Sequence, residues 1–306
     1  MKNELIKNAF DSNAWVYSDN SYGQAVAPAK YDEMVRDYQS KSLVLAPLAE
    51  QFDFTRPGSS WTVTIDAAPT AAALTAETDA AAVSPITNRQ VTFTPLEYTK
   101  KFEASYTEME DGFLKFMENA SKKIGYAMAQ AKDAKCLSTL YAGASSAKYA
   151  GTETAASDLT STDVFNRNLV LRGLNAVKVL LYRPSELIIS NIQEAALLNE
   201  GSIYKANEFG TRAAIANGLI GNLYGLNIYV TDAITATSNV EKGLVLGKTG
   251  TGEKAFGIAT ARRATVESDK DIDFRQVKVV GSERYDVQVL HPDAVCTLSS
   301  YDNIGE

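Results

Sequence analysis

The sequence predicts an α+β protein in which a discontinuous first domain carries one long helix and accepts a large inserted second unit. Three observations lead there. Segments around residues 61–66 and 89–94 alternate apolar and polar side chains, as strands with two unlike faces do. A proline-free stretch from about Thr107 to Tyr141 keeps apolar residues at helical spacing throughout. Beyond residue 158 short helices alternate with short apolar strands, and residues 255–306 return to strand-like alternation.

Residues 1–50 read as an arm. WVYSDNSYGQAVAPAK mixes Trp15, Tyr17 and Tyr22 with turn formers and offers no periodic apolar face. KYDEMVRDYQ then places Tyr31, Met34, Val35 and Tyr38 at helical spacing, and the extended apolar KSLVLAPLAE follows. Such an arm needs another surface to lie on.

Residues 51–100 hold an extended hairpin. SWTVTID alternates Trp61, Val63 and Ile65 with Thr62, Thr64 and Asp66. RQVTFTPLEYTKKFEAS resumes the alternation after Arg89 at Val91 and Phe93, until Pro95 shifts the phase to Leu96, Tyr98 and Phe102. Between them AAPTAAALTAETDAAAVSPITN consists almost wholly of Ala, Thr and a few acids, which cannot build a core. A two-stranded hairpin is marginal alone and exposes its edges, so it has to be covered. Trp61, Val63, Ile65, Arg89, Val91 and Phe93 are therefore expected to meet a neighbouring subunit; an unstructured insertion is the alternative.

Residues 101–157 are dominated by the long helix. Phe113, Phe116, Met117, Ala120, Ile124, Ala127, Met128, Ala131, Leu137 and Leu140 share helical spacing. At about 1.5 Å per residue the helix spans on the order of 50 Å, a structural spine whose core face is expected at Phe113, Phe116, Ile124 and Met128. The small, polar GASSAKYAGTETAASDLTST then marks a boundary.

Residues 158–254 should open with a helix near Asp163 to Val177, capped by Ser161 or Thr162. A buried strand, ELIISN, and a short helix, IQEAALLNE, follow, and Gly218, Gly221 and Gly225 punctuate strands that include NIYVTD. In residues 255–306, Val277 and Val279, then Val287 and Val289, suggest strands on either side of a GSER turn, returning to the spine helix.

Catalytic vocabulary is scarce. LVLGKTGTGEKAFG places Gly247 and Gly252 at phosphate-loop spacing, but Glu253 stands where the lysine must be and Lys254 where the hydroxyl must be. The stretch reads instead as a hairpin, LVLG and AFGIAT joined through Lys248 to Glu253. The single histidine, His291, has no nucleophile elbow to serve, since GASSA at Gly143–Ala147 lacks the closing glycine. Glu108, Glu110 and Asp111 suit the first turn of a helix through its dipole. Cys136 and Cys296 are far apart, with no CxxC, and read as small buried hydrophobes. No catalytic residue, cofactor or metal is expected.

Net charge is -7, from 30 basic and 37 acidic residues, and the basic clusters stop at Lys100-Lys101, Lys122-Lys123 and Arg262-Arg263. That argues against sequence-specific DNA recognition while allowing loose enclosure of nucleic acid. MKNELIKNAF is too polar for a signal sequence and AVKVLLY too short for a membrane span. These absences favour a structural or interaction protein over an enzyme.

The order of arm, extended loop, spine helix, inserted unit and returning strands resembles the major capsid proteins of tailed double-stranded DNA phages, with the Hong Kong-type or Johnson fold. The most telling stretches are GLIGNLYGLNIYVTDAI at Gly218 to Ile234 and VVGSERYDVQVLHPDAVCTL at Val279 to Leu298. The resemblance implies an extended loop over Ser59 to Thr94, a peripheral domain built on the spine, and an axial domain over about Asp158 to Lys254. It implies self-assembly as pentamers and hexamers into an icosahedral head around packaged DNA, formed in the host cytoplasm and kept in the virion. Its partners would be other copies of itself, a portal, a separate scaffold protein or none, optionally a decoration protein, and DNA through nonspecific contact. An encapsulin-like nanocompartment shell shares the fold and is the alternative. Some family members link a loop lysine to a neighbour's asparagine; Ser59 to Asn88 holds no lysine, so only noncovalent packing is expected.

Overall fold

A computed structural model of the chain describes residues 43–54, 58–66, 88–199 and 222–304, without the side chains of Asp66 and of 108–119. The readings for the arm before residue 43, the Ala-rich loop, the Glu108, Glu110 and Asp111 carboxylates, the Phe113 and Phe116 side chains, Gly218 and Gly221 lie outside the described residues. In chain order the strands are β1 (Glu50–Asp53), β2 (Trp61–Asp66), β3 (Asn88–Phe93), β4 (Leu96–Ser105), β5 (Ser146–Tyr149) and β6 (Arg183–Ile189). They continue with β7 (Asn222–Leu223), β8 (Leu226–Val230), β9 (Val240–Lys248), β10 (Phe256–Asp271), β11 (Gln276–Val289) and β12 (Val295–Tyr301). The described helices are α1 (Tyr106–Gly143), α2 (Arg167–Val179) and α3 (Asn191–Asn199). Pro95 separates β3 from β4, as a residue without an N–H should.

Two compact units divide the chain. Among the described residues one holds 96–132 and 262–285, the other 44–95, 133–261 and 286–304. In the first, β4 pairs antiparallel with β11 from Gln276↔Ser105 to Tyr285↔Leu96, and Ile124 and Met128 of α1 bury against Ala264, Val266, Val277 and Val279. The expected GSER turn is absent: Gly281, Ser282, Glu283 and Arg284 lie within one continuous strand, paired with Lys100, Thr99, Tyr98 and Glu97. Gly281 is there for clearance, because a Cβ at this position would overlap Ile124 Cγ2. Lys132 donates to Glu283, both buried, and its ammonium sits 4.8 Å from the Tyr285 ring centre, while Tyr285 stacks on Tyr98 at 4.5 Å.

The second unit contains a six-stranded sheet in the order β5-β12-β9-β6-β8-β7, with α2 across it. Leu169, Val170, Leu174 and Val177 of α2 pack on Leu187, Val245 and Leu298. Gly173 lets the helix sit close, since a Cβ there would come within 2.5 Å of Leu298 Cδ2. The helix starts later than expected. Asn166 Oδ1 accepts from the Leu169 N–H at 2.9 Å, whereas Asp163 closes a preceding turn by accepting from the Thr160 N–H at 2.9 Å. Tyr224 at φ 54° and Gly225 at φ 82° make the two-residue turn between β7 and β8.

LVLG and AFGIAT do form strands, but not a hairpin. β9 has β12 on one edge and β6 on the other, leaving no edge for β10, which joins the four-stranded sheet β1-β10-β11-β4 instead. Only an isolated bridge, Lys248↔Lys254, remains between them. KSLVLAPLAE is likewise not extended throughout: a 3-10 turn at Ala46–Leu48, opened by Pro47, interrupts it before β1.

Candidate assembly surface

The alternation at Trp61 to Ile65 yields a two-stranded sheet in which β2 and β3 pair antiparallel, with Trp61↔Phe93, Val63↔Val91 and Ile65↔Arg89 opposite each other. Directly opposed residues share a face, so all six expected contact residues lie on one side. The other side carries Thr62 and Thr92, whose hydroxyls are 3.1 Å apart.

Burial falls along this face. Phe93 and Val91 are buried within the chain against Ala259 and Leu290, and Trp61 rests on Phe52 at 5.3 Å and Phe54 at 6.2 Å. Gly257 permits that contact, since a Cβ there would come within 2.6 Å of Phe52 Cε2. Val63 and Ile65 are half-buried and Arg89 is exposed. These three line an open cleft of about 980 Å³ with Leu181, Tyr182 and His291.

Of the chemistry-bearing residues, His291 and Glu253 line this cleft. His291 Nε2 faces a Glu253 carboxylate oxygen at 3.5 Å; burial lowers its pKa, and Glu253 partly counters that effect. Lys254 Nζ donates to the Pro47 and Ala49 carbonyls at 3.1 and 2.8 Å, so its charge ties β1's approach to the loop. Gly252 stands at φ 95° in a turn closed by the Gly252 N–H on the Thr249 carbonyl at 3.0 Å. Cys136 and Cys296 are both buried, and burial pushes the Cys296 thiol up to about 11.

One exposed apolar cluster was not expected. Val179, Leu180 and Leu181 end α2 in solvent, Leu181 being 90% exposed at φ 65°. Its sequence signal is the apolar AVKVLLY run, whose Leu180 and Leu181 extend past the last helical turn.

The family model described as phage capsid protein matches residues 88–298, more than half of the chain. No curated protein matches by sequence. Among solved structures, one of Mycobacterium phage Che8 is similar at 17% identity and TM-score 0.62, covering 88% of this chain and 90% of that one. The capsid of cyanophage P-SCSP1u is similar at 15% identity and TM-score 0.63, with coverages of 82% and 86%. A virus-like particle from Pyrococcus furiosus, at 15% identity and TM-score 0.59, shares the fold over 89% of this chain and 99% of that one. At these identities the likeness establishes the fold, and the family match favours a phage shell over a nanocompartment. The chain belongs to the phage capsid protein family: it is a structural subunit of a virion shell with the Hong Kong-type fold.

Proposed function

We propose that the chain assembles as pentamers and hexamers into a closed icosahedral head enclosing packaged double-stranded DNA. The observation that supports this is the β2-β3 hairpin, a sheet with no third strand among the described residues, whose far end keeps Val63, Ile65 and Arg89 accessible. A neighbouring subunit is the cover that satisfies such an edge. Trp61, Val91 and Phe93 anchor the hairpin to its own chain, and Val63, Ile65 and Arg89 meet the neighbour.

In this reading residues 1–50 are the arm, 51–100 the extended loop and 101–157 the peripheral domain with its spine. Residues 158–254 are the axial domain and 255–306 return to the peripheral domain. Gly225 is an axial-domain turn, as Gly218 and Gly221 would be. One sequence then has to occupy several slightly different lattice positions. The net charge of -7 keeps contact with DNA nonspecific. A scaffold protein, a portal and optionally a decoration protein complete the head, which assembles in the host cytoplasm.

Velocity sedimentation with negative-stain imaging tests the assignment. Closed isometric particles, or discrete pentamers and hexamers, are expected, with nuclease-protected DNA in heads from infected cells. A chain that stays monomeric at all concentrations, with scaffold supplied, would overturn it.

A further inference from the structure

The sequence has a single histidine, and the fold sets it in the cleft that the far end of the β2-β3 hairpin also lines. Its backbone is pinned, because the Leu290 and His291 N–H groups both donate to the Ala255 carbonyl at 2.9 Å. Its side chain is 11% exposed, with the Tyr182 ring 5.9 Å away between centres. Charged groups surround it from several elements. Glu253 faces Nε2 at 3.5 Å from a turn of its own, closed by the Thr249 N–H on the Glu253 carbonyl at 3.0 Å. Asp293 follows in the 3-10 turn Pro292–Ala294, Glu50 stands on β1, and Lys254 is held on the Pro47 and Ala49 carbonyls. Arg89 is the one charge among these that the hairpin carries, and it acts on both His291 and Tyr182.

The hairpin is held unevenly. Phe93 and Val91 are buried and Trp61 rests on Phe52, whereas Ile65 and Arg89 at the far end meet an open cleft. A two-stranded sheet anchored at one end can pivot about that end. A proton on His291 places a cation in a half-buried site that Arg89 already makes positive. Lifting the far end withdraws Arg89 and admits water, while Glu253 and Asp293 stay behind. Burial foremost, and then Arg89, lower the proton affinity of His291, and Glu253 and Asp293 raise it. The two lowering causes are the ones that a lift relieves. Lifted His291 therefore holds a proton more tightly than seated His291, and each unit between the two pKa values is a tenfold shift toward the lifted state. The seated state is fully favoured above the ordinary histidine range and loses ground as pH falls through it.

We propose that His291 is a proton switch for the hairpin: neutral, it lets Ile65 and Arg89 seat over the cleft, and protonated, it lifts them. The switch acts within one subunit and does not depend on the shell reading.

Paired spin labels on the unassembled full-length subunit test it, at Asn88→Cys on the hairpin and Thr251→Cys on the opposite wall. Both positions are exposed, and the native Cys136 and Cys296 are buried away from the label. The label-to-label distance, read by pulsed electron paramagnetic resonance, should lengthen between about pH 8 and pH 5, with a midpoint below about 6.5. His291→Gln should hold the neutral-pH distance throughout, with urea denaturation at about pH 8 as the control for folding. Arg89→Gln, at an exposed site, should shrink the acid response, and Glu253→Gln should move its midpoint to lower pH. Glu241→Gln should leave it unchanged. A constant distance in the parent, the same lengthening in His291→Gln, or a full response in Arg89→Gln overturns the proposal. Loss of the response in Glu241→Gln also overturns it, because the buried carboxyl would then be the sensor.

Discussion

Gly281 shows how much a missing Cβ can decide. It sits in β11 opposite Lys100, and a methyl there would overlap Ile124 Cγ2, so the helix reaches this sheet only because residue 281 is glycine. Gly281→Ala should destabilise the unassembled subunit by about 1–3 kcal/mol, as overpacking of a dense core does. Urea denaturation reads this directly, and a loss below about 0.5 kcal/mol would mean that the helix yields freely. Glu241 poses the converse problem, a carboxyl inside the unit. Burial raises its pKa, the hydrogen bond from Ser190 opposes that, and Asp302 adds to the rise. Its folded pKa thus exceeds its unfolded one, so its contribution is fully present below the ordinary carboxylate range and is lost as pH rises through the folded value. Glu241→Gln keeps an acceptor for Ser190 and removes the charge. Its stability curve between about pH 4 and pH 8 should decline less with pH than the parent's; parallel curves would show that the charge is not penalised. Nothing in VEKGLVLG marks this glutamate as buried, because Glu241 and Lys242 look like any polar pair at a strand's start.

At the scale of elements, local signals were readable where chemistry was local. The spine helix, the alternating strands of the hairpin and the break at Pro95 follow from spacing and from one missing N–H. Start signals were ambiguous between Ser161, Thr162 and Asn166, since each residue type can cap; Asp163 decided the matter by closing its own turn first. Asn166→Ala should therefore cost about 1 kcal/mol in urea denaturation of the unassembled subunit, while Ser161→Ala and Thr162→Ala should each change it by less than about 0.5 kcal/mol. Equal effects at all three would place the cap elsewhere. GSER misled because glycine and serine are turn formers, yet the position needed glycine to clear a helix far away in sequence. LVLG and AFGIAT misled for a similar reason: proximity suggested a hairpin, but both edges of β9 were already taken by strands from elsewhere.

At the scale of the whole molecule, long-range pairing is what a single sequence hides. β1 lies parallel to the start of β10 and β5 lies parallel to β12, partners that no local pattern identifies. The candidate surface was legible in the same degree: the hairpin could be read from alternation, whereas the split between its buried base and its accessible end depends on Phe52, Ala259 and Leu290, which come from distant segments. What the sequence does determine for the assembled shell is the chemistry open to it. From Ser59 to Asn88 there is no lysine, so this stretch offers no amine that could condense with a neighbour's carboxamide or carboxylate. The shell should then be held by burial and charge alone, and the charged part of that hold is sensitive to salt. Mature heads boiled in detergent should run as a single band at the subunit mass, and unheated heads should release subunits more readily as ionic strength rises. A ladder of dimers, pentamers and hexamers that survives boiling would overturn noncovalent closure and require a cross-linking amine outside the extended loop.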